Sequence, residues 1–491
     1  MIVEGCGNDG YKIRMLLRRG LDREEFMLLP ERLEDYVTCE NAVRAVDAFV
    51  ENLDLSELGF EKRKKALGAP SYDPKALLKL YIYGFLNRIR SSRELEKATK
   101  RNLEVIWLMR KLQPDHWTIN SFRKTNKDHF KAVFRQFNLL CGKLDLFGHE
   151  LVAIDSAFFK AVNNASRNYT ANNLKIAIEA ADAQTEKYLA LLESSDPEGT
   201  PQQLTERGNM EAKLASLKDK SKELQSLLKQ VKASPTRQIS LNDPDSRRLK
   251  KPSESVVGYQ VQIAVDEKNH LIAVNETFAT GGDSDHLLEM STSAKEALGA
   301  QELTVVTDGG YFNIDQIKAC EQSGIEVHMP IRKTRTAGEG VYSIKDFKQD
   351  EGRDVFICPA GRELHRHENT RLGNDYYKVY YNTQACRKCP LLKKCTKGKY
   401  RKIKVHVDAQ VVEQMRERIM REPAKLKKRG SLVEHPFGSM KFWMGARALL
   451  TCGWNSVRGE INLTCLAYNF RRVLNLVGVP KLLEALSLKT A

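Results

Sequence analysis

The sequence predicts a mixed α/β core behind an all-helical N-terminal part, and three observations lead there. Apolar residues recur at helical spacing early in the chain, as in Leu77, Leu78, Tyr81, Ile82, Phe85 and Leu86. From Leu151 short apolar runs typical of buried strands take over, beginning with Leu-Val-Ala-Ile before Asp155. Strand, hairpin, helix, strand, helix and strand then follow, an order that suits a mixed sheet flanked by helices.

Residues 1–148 read as a helical domain. The first sixty are mixed in charge and end in the amphipathic run Asn41–Leu55. Ser71-Tyr72-Asp73-Pro74 is a helix start signal, and a second helix runs from Ser92 through Ala98. Thr118 is placed to cap a third over Ile119–Phe134. Between Lys62 and Arg135 there are 19 Lys and Arg against 6 Asp and Glu. Basic helices of this kind suit a DNA-binding domain, and a solvated basic bundle is the plainer alternative.

The core is expected in pieces: residues 149–172 and 236–334, then a helical part over 406–491. Strands are expected at Gly258–Val265 and Leu271–Phe278, joined by the polar turn Asp266-Glu267-Lys268-Asn269. A helix (Asp285–Leu298), the strand Leu303–Thr307, a helix (Asn313–Ser323) and the strand Val327–Ile331 complete it. Two insertions interrupt. Residues 173–235 carry two apolar seams, one through Leu174, Ile178, Ala181 and Thr185, the other through Leu217, Ser221, Leu224 and Val231. Seams spaced by three and four predict an antiparallel helical hairpin. Residues 335–405 hold four of the ten cysteines.

Charge narrows the function. A net charge of +16 implies a polyanionic partner. No apolar run reaches the ~18 residues of a membrane span, and no signal segment opens the chain, so nucleic acid is the expected partner and a membrane is not. The six scattered cysteines read as reduced, buried thiols, which fits a reducing cytoplasm.

Asp155 and Asp308 share a setting. Each is expected to close an apolar strand, and each is followed by small residues, Ser156-Ala157 and Gly309-Gly310. A carboxylate there is costly to desolvate unless it meets a cation or a donor. Hard oxygen ligands of this type suit Mg2+ or Mn2+. The plain alternative is a strand terminator or helix cap. Further on, Glu434 precedes Lys441 by seven residues, about two helical turns, with Lys427-Lys428-Arg429 just upstream and a regular helix expected to begin near Pro436. A metal-binding Glu backed by a phosphate-holding Lys is phosphoryl-transfer chemistry, whereas an exposed charge pair is the alternative.

These stretches, with Gly258-Tyr259-Gln260-Val261-Gln262, Val433-Glu434-His435-Pro436-Phe437-Gly438 and Ala467-Tyr468-Asn469-Phe470, make the chain resemble the DDE transposases of bacterial insertion sequences. The resemblance lies in the broad IS4/IS5 assemblage and is nearest the IS1182 family. It implies an RNase H-like core whose catalytic triad is Asp155, Asp308 and Glu434, holding two Mg2+ or Mn2+ ions. It also implies double-stranded DNA partners, namely transposon terminal inverted repeats and target DNA, and a homodimer on DNA. The family signature places a Tyr and an Arg seven and four residues before the Glu. Here those positions hold Lys427 and Gly430. Lys441 keeps its place as a DNA-phosphate contact, and Arg429, one residue off, is a second candidate. An RNase H-like nuclease that cuts without joining, and a non-catalytic DNA-binding derivative, are the alternatives.

Cys358, Cys386, Cys389 and Cys395 could form a four-cysteine zinc site, with free thiols the alternative. The arrangement also resembles the Cys-rich insert of IS1182-type transposases. Tyr311 reads equally as core or as a site residue. Phe442 and Trp443 are expected to pack inside, with wedging into DNA the alternative. Arg458 and Glu460 read as a cap and a salt bridge, and His286 and His435 receive no role.

Overall fold

Capping residues set most of the helix boundaries in the N-terminal part. The computed structural model describes residues 32–60, 71–163, 167–194, 200–234, 236–251, 254–279, 281–331, 342–350, 352–372 and 375–487. The expectation for the first thirty residues, and for Cys6, lies outside them. Asn41 caps α1 (Ala42–Glu51), Asp73 caps α2 (Pro74–Leu86) at the expected signal, and Ser91 caps α3 (Ser92–Arg101), each accepting a backbone N–H. Then follows α4 (Leu103–Leu108). The third expected helix is in fact two, α5 (His116–Thr125) and α6 (Phe130–Lys143). Asp115, not Thr118, is the cap: its carboxylate accepts the Thr118 N–H at 2.7 Å. Asn126 closes α5 by bonding back to the Phe122 carbonyl.

The sheet forms next: β1 (Leu151–Lys160), with β2 (Asn168–Thr170) just beyond it. The predicted hairpin of helices is present as α7 (Ala171–Glu193) and α8 (Pro201–Ala233). Leu174, Leu224, Leu227 and Val231 form its core, and Ser221 donates to Asp182 across the seam. The chain returns through β3 (Gln238–Ser240), β4 (Arg247–Lys251), β5 (Glu254–Asp266) and β6 (Ile272–Phe278). It continues with α9 (Leu287–Leu298), β7 (Leu303–Val306), α10 (Ile314–Gln322) and β8 (Ile325–His328). Strand order is β4-β5-β1-β7-β8, with β6 also on β5; β1 runs antiparallel to β5 and parallel to β7, and β7 runs parallel to β8. One continuous apolar core joins the N-terminal helices to this sheet.

Two details correct the reading of the strands. β1 is ten residues long, so Asp155 sits at its middle rather than its end. The apolar residues Ala157, Phe158 and Phe159 carry the strand past the acid because they too are buried. Asp266 is not a solvated turn residue: it is buried and accepts the N–H groups of Gly148, His149 and Lys268.

Residues 348–406 form a second, antiparallel sheet that the sequence did not announce: β9 (Lys348–Asp350), β10 (Val355–Ile357), β11 (Glu363–Leu372), β12 (Asp375–Tyr381) and β13 (Lys402–His406). Its strands are mostly polar, and a small core of Phe347, Phe356, Leu364, Tyr380 and Ile403 holds it. The short helices α11 (Thr383–Arg387) and α12 (Leu392–Cys395) lie between β12 and β13. The chain ends in α13 (Ala409–Arg421), α14 (Pro423–Gly438) and α15 (Trp454–Ser487), the last broken at Gly478, where φ is 78°. The catalytic-looking helix therefore begins at Pro423 and passes through Pro436, against the expected start at Pro436. Leu432, Val433 and Phe437 bury against the sheet, and that packing outweighs the proline's lost hydrogen bond. A π-helical turn, Ser439–Trp443, follows.

Candidate active site

Register brings the first two acids together. β1 and β7 pair Leu151 with Thr304, Val152 with Val305 and Ala153 with Val306. Two residues further along each chain stand Asp155, still within β1, and Asp308, just past the end of β7, and the Tyr311 phenol feels both charges. Asp155 accepts its own neighbour's N–H, Ser156, at 2.7 Å on Oδ1. Its Oδ2 accepts from the Arg429 guanidinium at 2.9 Å. Asp308 caps the short 3-10 turn Gly309–Tyr311 and accepts the Gly310 N–H at 2.8 Å.

A third carboxylate, missed in the sequence, joins them. Asp283 accepts from the amides of Gln260 and Gln262, the latter at 3.4 Å, and Gln260 also donates to Ser156 Oγ at 3.0 Å. Both glutamines are buried, and their Oε1 atoms have no partner among the described residues. A Cβ on Gly310 would lie 2.9 Å from Asp308 Oδ1 and 3.3 Å from Asp283 Oδ2. Glycine is needed there because the two carboxylates close on that point. Tyr311, fully buried, reports all three: burial, then the charges of Asp283, Asp155 and Asp308, push its phenol well above its ordinary range. Asp283 sits in Gly281-Gly282-Asp283-Ser284, a loop composition in which Asp is common, so only the cross-strand glutamines reveal it.

α14 lies across this end of β1, with Phe437 6.4 Å from Phe159 ring to ring. Arg429 therefore reaches Asp155, which is where the structure places this candidate phosphate contact. Glu434, on the same helix, is exposed, and its carboxylate lies back over Gly430, 3.5 Å from where a Cβ would stand. Lys441, in the π turn, sets its ammonium over the Phe159 ring at 5.2 Å. Phe159 is four residues beyond Asp155 on the same face, about 13 Å along the strand. Asp155, Asp308 and Glu434 do not converge within one ligand shell. Among the described residues only Glu326, His328 and Glu422 bring three donor atoms within 4.8 Å, and there the Lys425 ammonium already bridges the two acids.

The four clustered cysteines share a cavity, though no three of their sulfurs lie within 4.8 Å of one another. Cys358, Cys386, Cys389 and Cys395 line one small cavity with Phe347, Leu364, Leu392 and Arg401, and none is in a disulfide. Burial, eased by Arg401 and reinforced by the other three sulfurs, raises the Cys395 thiol. Of the scattered thiols, Cys141, Cys320 and Cys465 are buried as expected, whereas Cys39 and Cys452 are exposed. His286 stacks on Phe278 and feels the nearby Asp283 charge, and His435 bonds Tyr468. Phe442 and Trp443 are exposed, against the expectation that they pack inside. Among the described residues no helix is long and apolar enough to cross a membrane.

Comparison with known proteins places this arrangement. A family described as Transposase domain (DUF772) matches residues 31–125, and one described as Transposase DDE domain matches residues 357–474. The second takes in Glu434, Lys441 and the four cysteines; Asp155 and Asp308 lie outside both. No curated protein matches the chain. A solved structure described as "Cryo-EM structure of piggyBac transposase synaptic complex with hairpin DNA" is similar at 10% identity and a TM-score of 0.30, covering 91% of this chain and 79% of that one. A likeness so loose carries no argument. The two family matches define a transposase. Together they indicate a DDE transposase of the bacterial insertion-sequence kind, and the DUF772 match is consistent with the IS1182 family.

Proposed function

We propose that the protein cuts DNA at transposon ends and joins them to target DNA, using two Mg2+ or Mn2+ ions beside the middle of β1 and the end of β7. The observation that carries this is the meeting of Asp155, Asp308 and Asp283 on adjacent elements, under a helix bearing Glu434. The strand order supports an RNase H-like reading of the core. The donor set fits divalent ions: carboxylates only, two orphaned glutamine oxygens beside them, and a guanidinium already standing as counter-charge on Asp155.

Asp155, Asp308 and Glu434 would be the metal ligands in this reading, although the three do not meet in one ligand shell here, and Asp283, held by Gln260 and Gln262, would complete the acidic set. Divalent ions held there would supply activation of the attacking water or 3′-hydroxyl and stabilisation of the leaving oxygen. Tyr311, its phenol kept protonated, can donate to the carboxylates. Lys441 and the Arg429 guanidinium hold backbone phosphates on either side of the reacting bond. The partners are double-stranded transposon ends and target DNA, and two copies of the chain meet on them. Cys358, Cys386, Cys389 and Cys395 would hold one structural zinc ion, which would staple the basic second sheet. Metal analysis of protein purified without chelator checks that site, with one zinc per chain expected and less than about half an equivalent counting against it.

The decisive reaction uses a labelled duplex bearing the inverted repeats that flank the coding sequence, incubated with Mg2+ and target DNA. Nicks and joined products are both expected. Nicks without joining favour a nuclease, and neither product in the presence of tight DNA binding favours a regulator.

A further inference from the structure

The first two turns of α14 meet the core through basic side chains. Lys425 stands 3.6 Å from Glu326, Lys428 2.8 Å from Glu267 and Arg429 2.9 Å from Asp155. The first two pairs fasten the helix to the core. The third differs in kind, because Asp155 is one of the acids proposed to hold metal.

These contacts fix which way the helix faces. Arg429, Val433 and Phe437 recur at intervals of four, and the last two are buried, so Arg429 lies on the stripe that packs toward the sheet. Glu434 comes five residues after Arg429, about 140° round the helix axis. A helix that presents Arg429 to Asp155 therefore turns Glu434 outward. Glu434 is indeed exposed, with its carboxylate lying back over Gly430. One setting of one helix thus accounts for two findings: a guanidinium sits on Asp155, and Asp155, Asp308 and Glu434 do not meet.

A guanidinium and a divalent ion compete for the same carboxylate. Asp155 Oδ1 accepts the Ser156 N–H and Oδ2 the Arg429 guanidinium. An ion binding that carboxylate has to displace the guanidinium or bear its repulsion. The pair can be displaced, since its side chains are 26% and 21% exposed and such pairs are weak. A DNA phosphate offers the guanidinium an acceptor of matching geometry.

We propose that Arg429 is a positioning residue that closes Asp155 to metal until a phosphate draws it away, coupling ion loading to the arrival of DNA. This rests on the two-metal reading of the site and states how that site is regulated. The coupling is reciprocal, so a bound ion also frees Arg429 for phosphate.

The test is Mn2+ calorimetry on the full chain, with Asp155→Asn defining the binding that belongs elsewhere. Arg429→Gln is expected to bind Mn2+ about five-fold more tightly than wild type without DNA, the scale of a partly exposed ion pair. Arg429→Lys keeps the cation and is expected to stay near wild type. Lys428→Gln removes the same charge from the neighbouring residue but not from Asp155, and is expected to change the affinity by less than about two-fold. A short duplex of arbitrary sequence, corrected for the Mn2+ it binds alone, should tighten wild-type binding about five-fold and leave Arg429→Gln unchanged. Arg429→Gln that binds Mn2+ like wild type overturns the proposal. So does Lys428→Gln tightened as much as Arg429→Gln, or a wild-type affinity that the duplex does not move. Wild-type binding equal to that of Asp155→Asn, with and without duplex, would instead overturn the two-metal reading itself.

Discussion

Two arginine–carboxylate pairs in this molecule show how position decides what a charge is for. Glu460 is fully buried and saturated: it accepts from Arg90, from the backbone N–H groups of Leu450 and Thr451, and from the Thr451 hydroxyl. Asp155 is about a fifth exposed, holds Arg429 by one arm, and faces two other acids. The first carboxylate has every lone pair spent inside the protein and ties α3's approach to the chain before α15. The second stands partly open among like charges. A buried acid with complete partners is architecture, and a half-open acid among like charges is a binding site.

Substitution should separate them most sharply in stability. Glu460→Ala leaves the Arg90 guanidinium buried and unpaired, and is expected to cost about 3–5 kcal/mol in urea unfolding. Asp155→Asn should stay within about 1 kcal/mol of wild type, because its pair is partly exposed and its neighbours repel it. A large loss at Asp155, or none at Glu460, would erase the distinction drawn between them.

The acidic set itself can be sharpened next. Asp283→Asn keeps the shape but removes a charge beside Asp308, and should weaken Mn2+ binding measured by calorimetry about 10–100-fold. Gly310→Ala drives a methyl between the same two carboxylates and should weaken it as well, with the secondary structure unchanged by circular dichroism. Mn2+ affinity unaltered in both variants would remove Asp283 from the site.

The smallest effect belongs to a half-buried pair. Hydrogen bonds from His116, its side chain first, then Lys100, hold the Glu96 carboxyl down at about 2 from 4.5. A depressed carboxyl contributes stability that is complete above its unfolded value and fades as pH falls through the folded one. The Glu96 carbon resonance should therefore titrate near 2 in the native protein. His116→Ala should return it toward 4.5. A native titration already near the unfolded value would mean that His116 does not hold Glu96.

How far the sequence carried depended on whether pattern and packing agreed. Asp155 and Asp308 were legible because each interrupts an apolar run, and β1 and β7 do lie side by side. Their setting within the strands was not: Phe158 and Phe159 extend β1 beyond Asp155, because strand length is decided by what covers the sheet. The α7–α8 hairpin was legible from its seams. The second sheet was hidden because strands such as Glu363–Leu372 alternate no apolar residues and rest on a handful of buried side chains. Pro436 misled for a similar reason, since burial of Val433 and Phe437 overrides a local preference. Asp283 was invisible because Gln260 and Gln262 reach it across the sheet rather than along the chain.

The most direct test of the catalytic assignment is Mg2+-dependent cleavage of the end duplex by Asp155→Asn. The assignment predicts no cleavage above background while the variant binds the same duplex as tightly as wild type. Cutting by Asp155→Asn at near the wild-type rate would contradict it.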